Sequence, residues 1–208
     1  MDEYDSTDDT LAHIAVVKDY LNRCAAILTE RGVVHDASKL VDPEKSFFDK
    51  YTPMLAELTY GSEDYADALH QLKPALDRHY AANSHHPEHF SYLECGACYK
   101  EFPDDFHGNC DECGYGVYWQ KRGVTGISGM DLFDVIEMLV DWKAASERHD
   151  DGDIVKSLIV NHERFQLQPQ LYDILINTCV SMGFFPRGTI LTKANPSGQG
   201  SNTFAALA

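Results

Sequence analysis

Two pairs of cysteines, Cys95-Gly-Ala-Cys98 and Cys110-Asp-Glu-Cys113, constrain this chain more than any other feature. Each Cys-x-x-Cys pair can wrap one face of a metal ion in a tight turn, and two such pairs supply a closed tetrahedral thiolate site. A structural zinc ribbon or knuckle is the favoured reading over a redox dithiol. Four sulfur ligands leave no open coordination position, so this zinc is assigned no chemistry. His107 lies between the pairs as a substitute ligand that the site does not need. The aromatic residues, glycines and Pro103 around the cysteines mark residues 91–127 as an insertion in an otherwise helical pattern.

Outside that insertion the apolar residues recur at helical spacing. Ile14, Val17, Leu21, Cys24 and Leu28 predict a helix over 11–30, ending at Gly32. Asp42-Pro43-Glu44 reads as a cap, a first-turn proline and a first-turn acid, with the helix running on through Phe47, Phe48 and Tyr51. Pro53 and Pro74 predict kinks or breaks, the second inside a long helix over 63–82. Leu132, Val135, Ile136, Leu139 and Trp142 give a broad apolar face over 129–146, and two further helices follow over 154–165 and 168–182. Cys24 and Cys179 read as buried thiols. The expected fold class is all-α, a helical bundle built from residues 10–90 and 128–183 as one domain, with a tail over 184–208.

The chain of 208 residues carries a net charge of −16. An acidic surface repels duplex DNA and anionic membranes, so neither is expected as a partner. A small phosphorylated substrate remains open, because a bound cation reverses the local field. No apolar run approaches a membrane span, and Met1-Asp-Glu-Tyr-Asp lacks a signal-peptide pattern. The expected location is the cytoplasm, where paired cysteines bind metal before they form disulfides.

A second set of residues carries the chemistry. His35-Asp36, within Arg31-Gly-Val-Val-His-Asp-Ala-Ser-Lys39, offers a nitrogen and a charged oxygen donor side by side. An equal pair, His149-Asp150, sits in a polar run and reads as an ordinary turn. Four of the ten histidines, His79, His85, His86 and His89, fall within eleven residues. Such clustering signals metal binding or acid–base work. Which of the last three faces inward is not legible. Asp134 and Asp141 are one heptad apart on a predicted helix, with Glu137 near the same line. The plain reading of that acidic stripe is a solvated face; the small Ala144 and Ala145 beside it argue for packing.

His13, His35-Asp36 and Asp141, in that order, resemble the ligand series of the HD-domain superfamily of metal-dependent phosphohydrolases. Val-Asp141-Trp-Lys-Ala-Ala is similar to the signature around that superfamily's last ligand. The motifs His-Asp-x-Ser-Lys, Asn-x-His-His-Pro-Glu-His and Met-x-Leu-x-Asp-x-x-Glu-Met-x-x-Asp-Trp-Lys-Ala-Ala are similar, more closely, to a family of phages and bacteria without an assigned activity. The resemblance implies an HD-like bundle whose His13, His35, Asp36 and Asp141 hold a divalent ion such as Mn, Fe, Co or Mg. Asp134 competes for the last position, and His79, His85 and His86 are candidates for a second ion. It further implies hydrolysis of a nucleotide or another small phosphate ester. Lys39 would contact phosphate, Glu44 or Glu137 would accept a proton from water, and His79 would protonate the leaving oxygen. The alternative is a non-catalytic module that keeps the metal scaffold to bind a nucleotide or a protein, in a phage setting to modulate host nucleotide signalling. A third reading leaves only the cysteine zinc, in a structural role. Oligomeric state is not legible.

Overall fold

The computed structural model describes residues 4–58, 63–90, 92–103, 108–115, 119–122, 126–147 and 153–189. The chain divides between Ala37 and Ser38 into two compact units, a boundary that falls inside the expected 10–90 segment.

The first unit is dominated by helix α1, Thr7–Val34. It runs through Gly32, the predicted stop, and ends where His35 turns to φ −49°, ψ 128°. The left-handed residue at this junction is Asp36, with φ 56°. Aspartate is one of the few side chains that tolerates this region, because its short polar group bonds locally. No residue of α1 is buried, and Cys24, expected inside, is exposed.

The second unit opens with α2, Glu44–Glu57, and α3, Glu63–Ala82. Both prolines are absorbed without a break in helix. Buried residues flank each one, Tyr51 and Leu55 around Pro53 and Leu72 and Ala75 around Pro74, and their burial outweighs the lost backbone bond. The inward stripes of these helices share one spacing. Glu44, Phe48, Tyr51 and Leu55 repeat at i, i+4, i+7 and i+11, as do Ala68, Leu72, Ala75 and His79. Tyr51 Oη donates to Gln71 Oε1 at 2.8 Å midway along the pair. Glu44 at the start of α2 therefore meets His79 near the end of α3, and an acid and an imidazole occupy one layer of an otherwise apolar seam.

Helices α4 (Leu132–Ser146), α5 (Ile154–Arg164) and α6 (Pro169–Ser181) form a second core. Met138, Leu139 and Trp142 from α4 pack with Leu158 and Leu175, and Trp142 stacks on Phe165 with ring centroids 6.1 Å apart. Asp131 and Asp153 cap α4 and α5 by accepting backbone N–H groups. Phe184 and Phe185 pack against this core, so the expected tail is anchored at its outset.

The cysteine segment departs from an all-helical fold. Strands β1 (Tyr92–Cys95), β2 (Glu101–Pro103) and β3 (Trp119–Arg122) form an antiparallel sheet in the order β2-β1-β3, with Leu93 opposite both Phe102 and Lys121. His107 and His149-Asp150 lie outside the described residues. Among the described residues no helix is long and apolar enough to cross a membrane.

Leu158 is wholly buried between α4 and α6. Leu158→Ala is expected to cost about 2–5 kcal/mol of stability, read as a lowered denaturant midpoint with an unchanged slope.

Candidate metal centres

The α2–α3 seam ends in a histidine layer. His79 is 1% exposed, and its Nδ1 donates to Glu44 Oε2 at 3.1 Å. Ser38 Oγ donates to the same carboxylate oxygen at 2.8 Å, and Asn83 Nδ2 donates to Ser38 Oγ at 3.0 Å and to the His79 carbonyl at 2.7 Å. Asn83 stands four residues beyond His79, just past the end of α3, and braces it from there. With Nδ1 set among Glu44, Ser38 and Asn83, the ring is held in rotation and offers Nε2 as its ligating nitrogen. That Nε2 lies 2.9 Å from Nε2 of His86. Nitrogens bound to one small cation stand about 3 Å apart, so the spacing suits two ligands of the same ion.

After Ala82 the chain turns sharply and brings His85 and His86 back over His79. His79, His85 and His86 each offer a ligand nitrogen within 4.8 Å of the others, and all three are buried. His85 Nδ1 is 3.1 Å from Glu137 Oε1 on α4, a second carboxylate–histidine pair. Asp141, one turn further along α4, has a carboxylate oxygen within 4.8 Å of a His85 nitrogen. His89 is exposed and bonds the Tyr80 carbonyl, which settles the inward set as His85 and His86. Tyr80 packs against His86 at 4.9 Å between centroids; burial and the nearby charge of Glu88 push its pKa up, so it stays a neutral wall.

The turn is held by a contact that periodicity does not reveal. Gly126 adopts φ +41°, and a Cβ there would lie 1.6 Å from the Pro87 carbonyl oxygen. Only glycine lets 126–129 lie this close to the Pro87–Phe90 turn that follows the histidines.

Asp134 has another task. Its Oδ2 accepts the Asp131 N–H at 3.0 Å to complete a capping box, and its Oδ1 accepts from Ser84 Oγ at 2.6 Å. It fixes the start of α4 against the histidine turn and joins no ligand group among the described residues, whereas Asp141 does. Glu44 and Glu137, expected as proton acceptors, both engage an imidazole, and His79, expected as a proton donor, belongs to a group that could hold a metal ion. Lys39 is half-buried with Nζ 5.2 Å from the centre of the Phe48 ring, whose edge-on neighbour is His79 at 6.0 Å.

The first unit holds the remaining candidates. His35 Nε2 and Asp36 Oδ2 are 3.7 Å apart and both are largely shielded. His13 is exposed near the other end of α1 and joins no ligand group among the described residues. Twenty-two residues of continuous helix put His13 about 33 Å from His35. One chain cannot place these two rings on one ion, which corrects the expected set of His13, His35, Asp36 and Asp141.

The four cysteines form a separate centre. Cys95, Cys98, Cys110 and Cys113 bring their sulfurs within 4.8 Å of one another, with Cys95 to Cys113 at 3.6 Å and Cys98 to Cys110 at 3.5 Å. A tetrahedral thiolate site with 2.3 Å bonds requires sulfurs about 3.8 Å apart. The two halves are built alike. Tyr99 N–H donates to the Cys95 carbonyl and Gly114 N–H to the Cys110 carbonyl, while Cys95 and Cys110 donate to the carbonyls of Lys100 and Tyr115. Tyr99 and Gly114 occupy the same left-handed position, φ 61° and 67°. Backbone N–H groups of Cys98 and Ala97 draw the Cys95 thiol down to about 7, so one thiolate is available near neutrality.

The thiolate centre is expected to bind one ion per chain. Elemental analysis should find one equivalent of metal lost in Cys110→Ser, and unchanged metal content in that variant counts against the site.

Searches of curated proteins and of solved structures returned no match to the chain. A family model does match, over residues 2–181, a span that takes in both candidate centres. The chain belongs to that family, described as a family of unknown function (DUF5662).

Proposed function

We propose that this protein is a metal-dependent phosphohydrolase acting on a nucleotide or another small phosphate ester. The observation that carries the reading is the buried layer of His79, His85 and His86, two of them braced at Nδ1 by Glu44 and Glu137. Burying three imidazoles together is costly unless each is satisfied, and a cation bound by all three removes that cost. Asp141 adds an anionic oxygen donor, and His35 and Asp36 enter the proposal from the sequence. A mixed nitrogen–oxygen shell favours Mn, Fe or Co over Mg. An ion held there acidifies water and offsets charge on phosphoryl oxygens.

The protein's own groups do the rest. Glu44 and Glu137 are positioning residues, since each acts through the imidazole it holds. Lys39, one aromatic ring from His79, brings a positive charge for phosphate into a chain of net charge −16. The thiolate centre is proposed to hold structural zinc, independent of the reaction.

A metal screen against a nucleotide panel tests this, with phosphate release measured beside binding. Release is expected with Mn, Fe or Co, and His86→Ala and Asp36→Ala should each lower it by roughly a hundredfold or more while the cysteine-bound zinc stays. Glu137→Gln should weaken metal affinity about 10–100-fold, so that the activity is rescued by excess metal. Tight nucleotide binding with no product under any metal would favour a binding module instead.

A further inference from the structure

Helix α1 carries an apolar seam along one side. The buried clusters of the second unit are built from its own helices, α2 with α3 and α4 with α5 and α6. Along α1, Ile14, Val17, Leu21, Cys24 and Leu28 alternate at three and four residues over two heptads. A seam with that 3.5-residue repeat fits another helix that coils around it, and fits a flat or irregular surface less well. None of the five is buried: Leu28 is half-buried, Cys24 is exposed, and Ile14 is 55%, Val17 40% and Leu21 63% exposed. Leu11, Tyr20 and Ile27 flank the seam and are exposed as well.

We propose that α1 is a dimerisation helix whose seam packs against the same seam of a second copy of this chain. Two observations select a second copy as the occupant. The first is area: the exposed seam and its flanks present on the order of 600 Å² per copy, so two copies bury about 1,200 Å², the lower bound of a specific interface. The second is charge. Helix α1 has three basic side chains against four acidic ones and is close to neutral, in a chain of net charge −16. It is a surface on which two such acidic molecules can meet without strong repulsion.

Sedimentation equilibrium of the full-length wild type and of Val17→Glu/Leu21→Glu tests the proposal, with Leu132→Glu, an exposed leucine on α4, as control. The wild type and the control are expected at twice the chain mass of 23.4 kDa and the double variant at the chain mass, with its cysteine-bound metal retained. If the double variant does not fold, Leu21→Ala replaces it and should raise the dimer dissociation constant on the order of tenfold. A wild type that stays monomeric from micromolar to about a hundred micromolar overturns the proposal, as that range spans ordinary self-association. So does dimerisation that survives the seam substitutions.

Discussion

The candidate site depends on the Glu44–His79 pair. A carboxylate and an imidazole, both nearly inaccessible to water, end the α2–α3 seam in the layer where apolar residues would otherwise continue. Neither group tolerates burial alone, and their mutual hydrogen bond, with Ser38 and Asn83 around it, offsets that cost. The pair also does directional work: once His79 Nδ1 is committed to Glu44, Nε2 faces His86. The same logic recurs across the layer, where Glu137 holds His85.

Position along α4 is set by capping. Asp134 closes the first turn and ties it to Ser84, immediately before His85, so the histidine turn and α4 are fixed to each other by one carboxylate. Two turns later Asp141 comes beside His85, and Glu137 lies between them on the same side. Three carboxylates three to four residues apart, Asp134, Glu137 and Asp141, thus stand in three different settings: capping a helix, bracing an imidazole and lying where an oxygen could ligate an ion. The thiolate centre shows the corresponding economy in backbone, with two turns of the same hydrogen-bond pattern supplying two sulfurs each.

Much of the architecture was legible because it rests on periodic burial. The helices over 63–82, 154–165 and 168–182 agree with α3, α5 and α6 within a residue or two, since each buries one stripe of regular spacing. The cysteine pairs were legible because thiolate chemistry ties their spacing to one local geometry. Expectations failed where a local signal competed with burial or lacked a length scale. Gly32 was read as a stop and the two prolines as kinks or breaks, yet helix persists through all three. His13 matched a ligand order in the sequence, but a sequence order does not show that 22 residues of unbroken helix separate two rings by about 33 Å. Cys24 shares its spacing with core residues, and periodicity cannot tell a face that packs within the chain from one left exposed.

By itself, then, the sequence determined the helix stripes, the four-sulfur centre and the histidine-rich segment, because each depends on residues near one another in the chain. Only the tertiary structure decided that His85 and His86 turn inward and His89 outward, that Glu44 and Glu137 brace imidazoles, and that Asp141 rather than Asp134 joins His85. It decided as well that Gly126 must be glycine, through a carbonyl 39 residues earlier in the chain. The physical reason is common to all of these. A buried polar group is specified by the partner that satisfies it, and that partner is brought by a different element from a distant part of the chain.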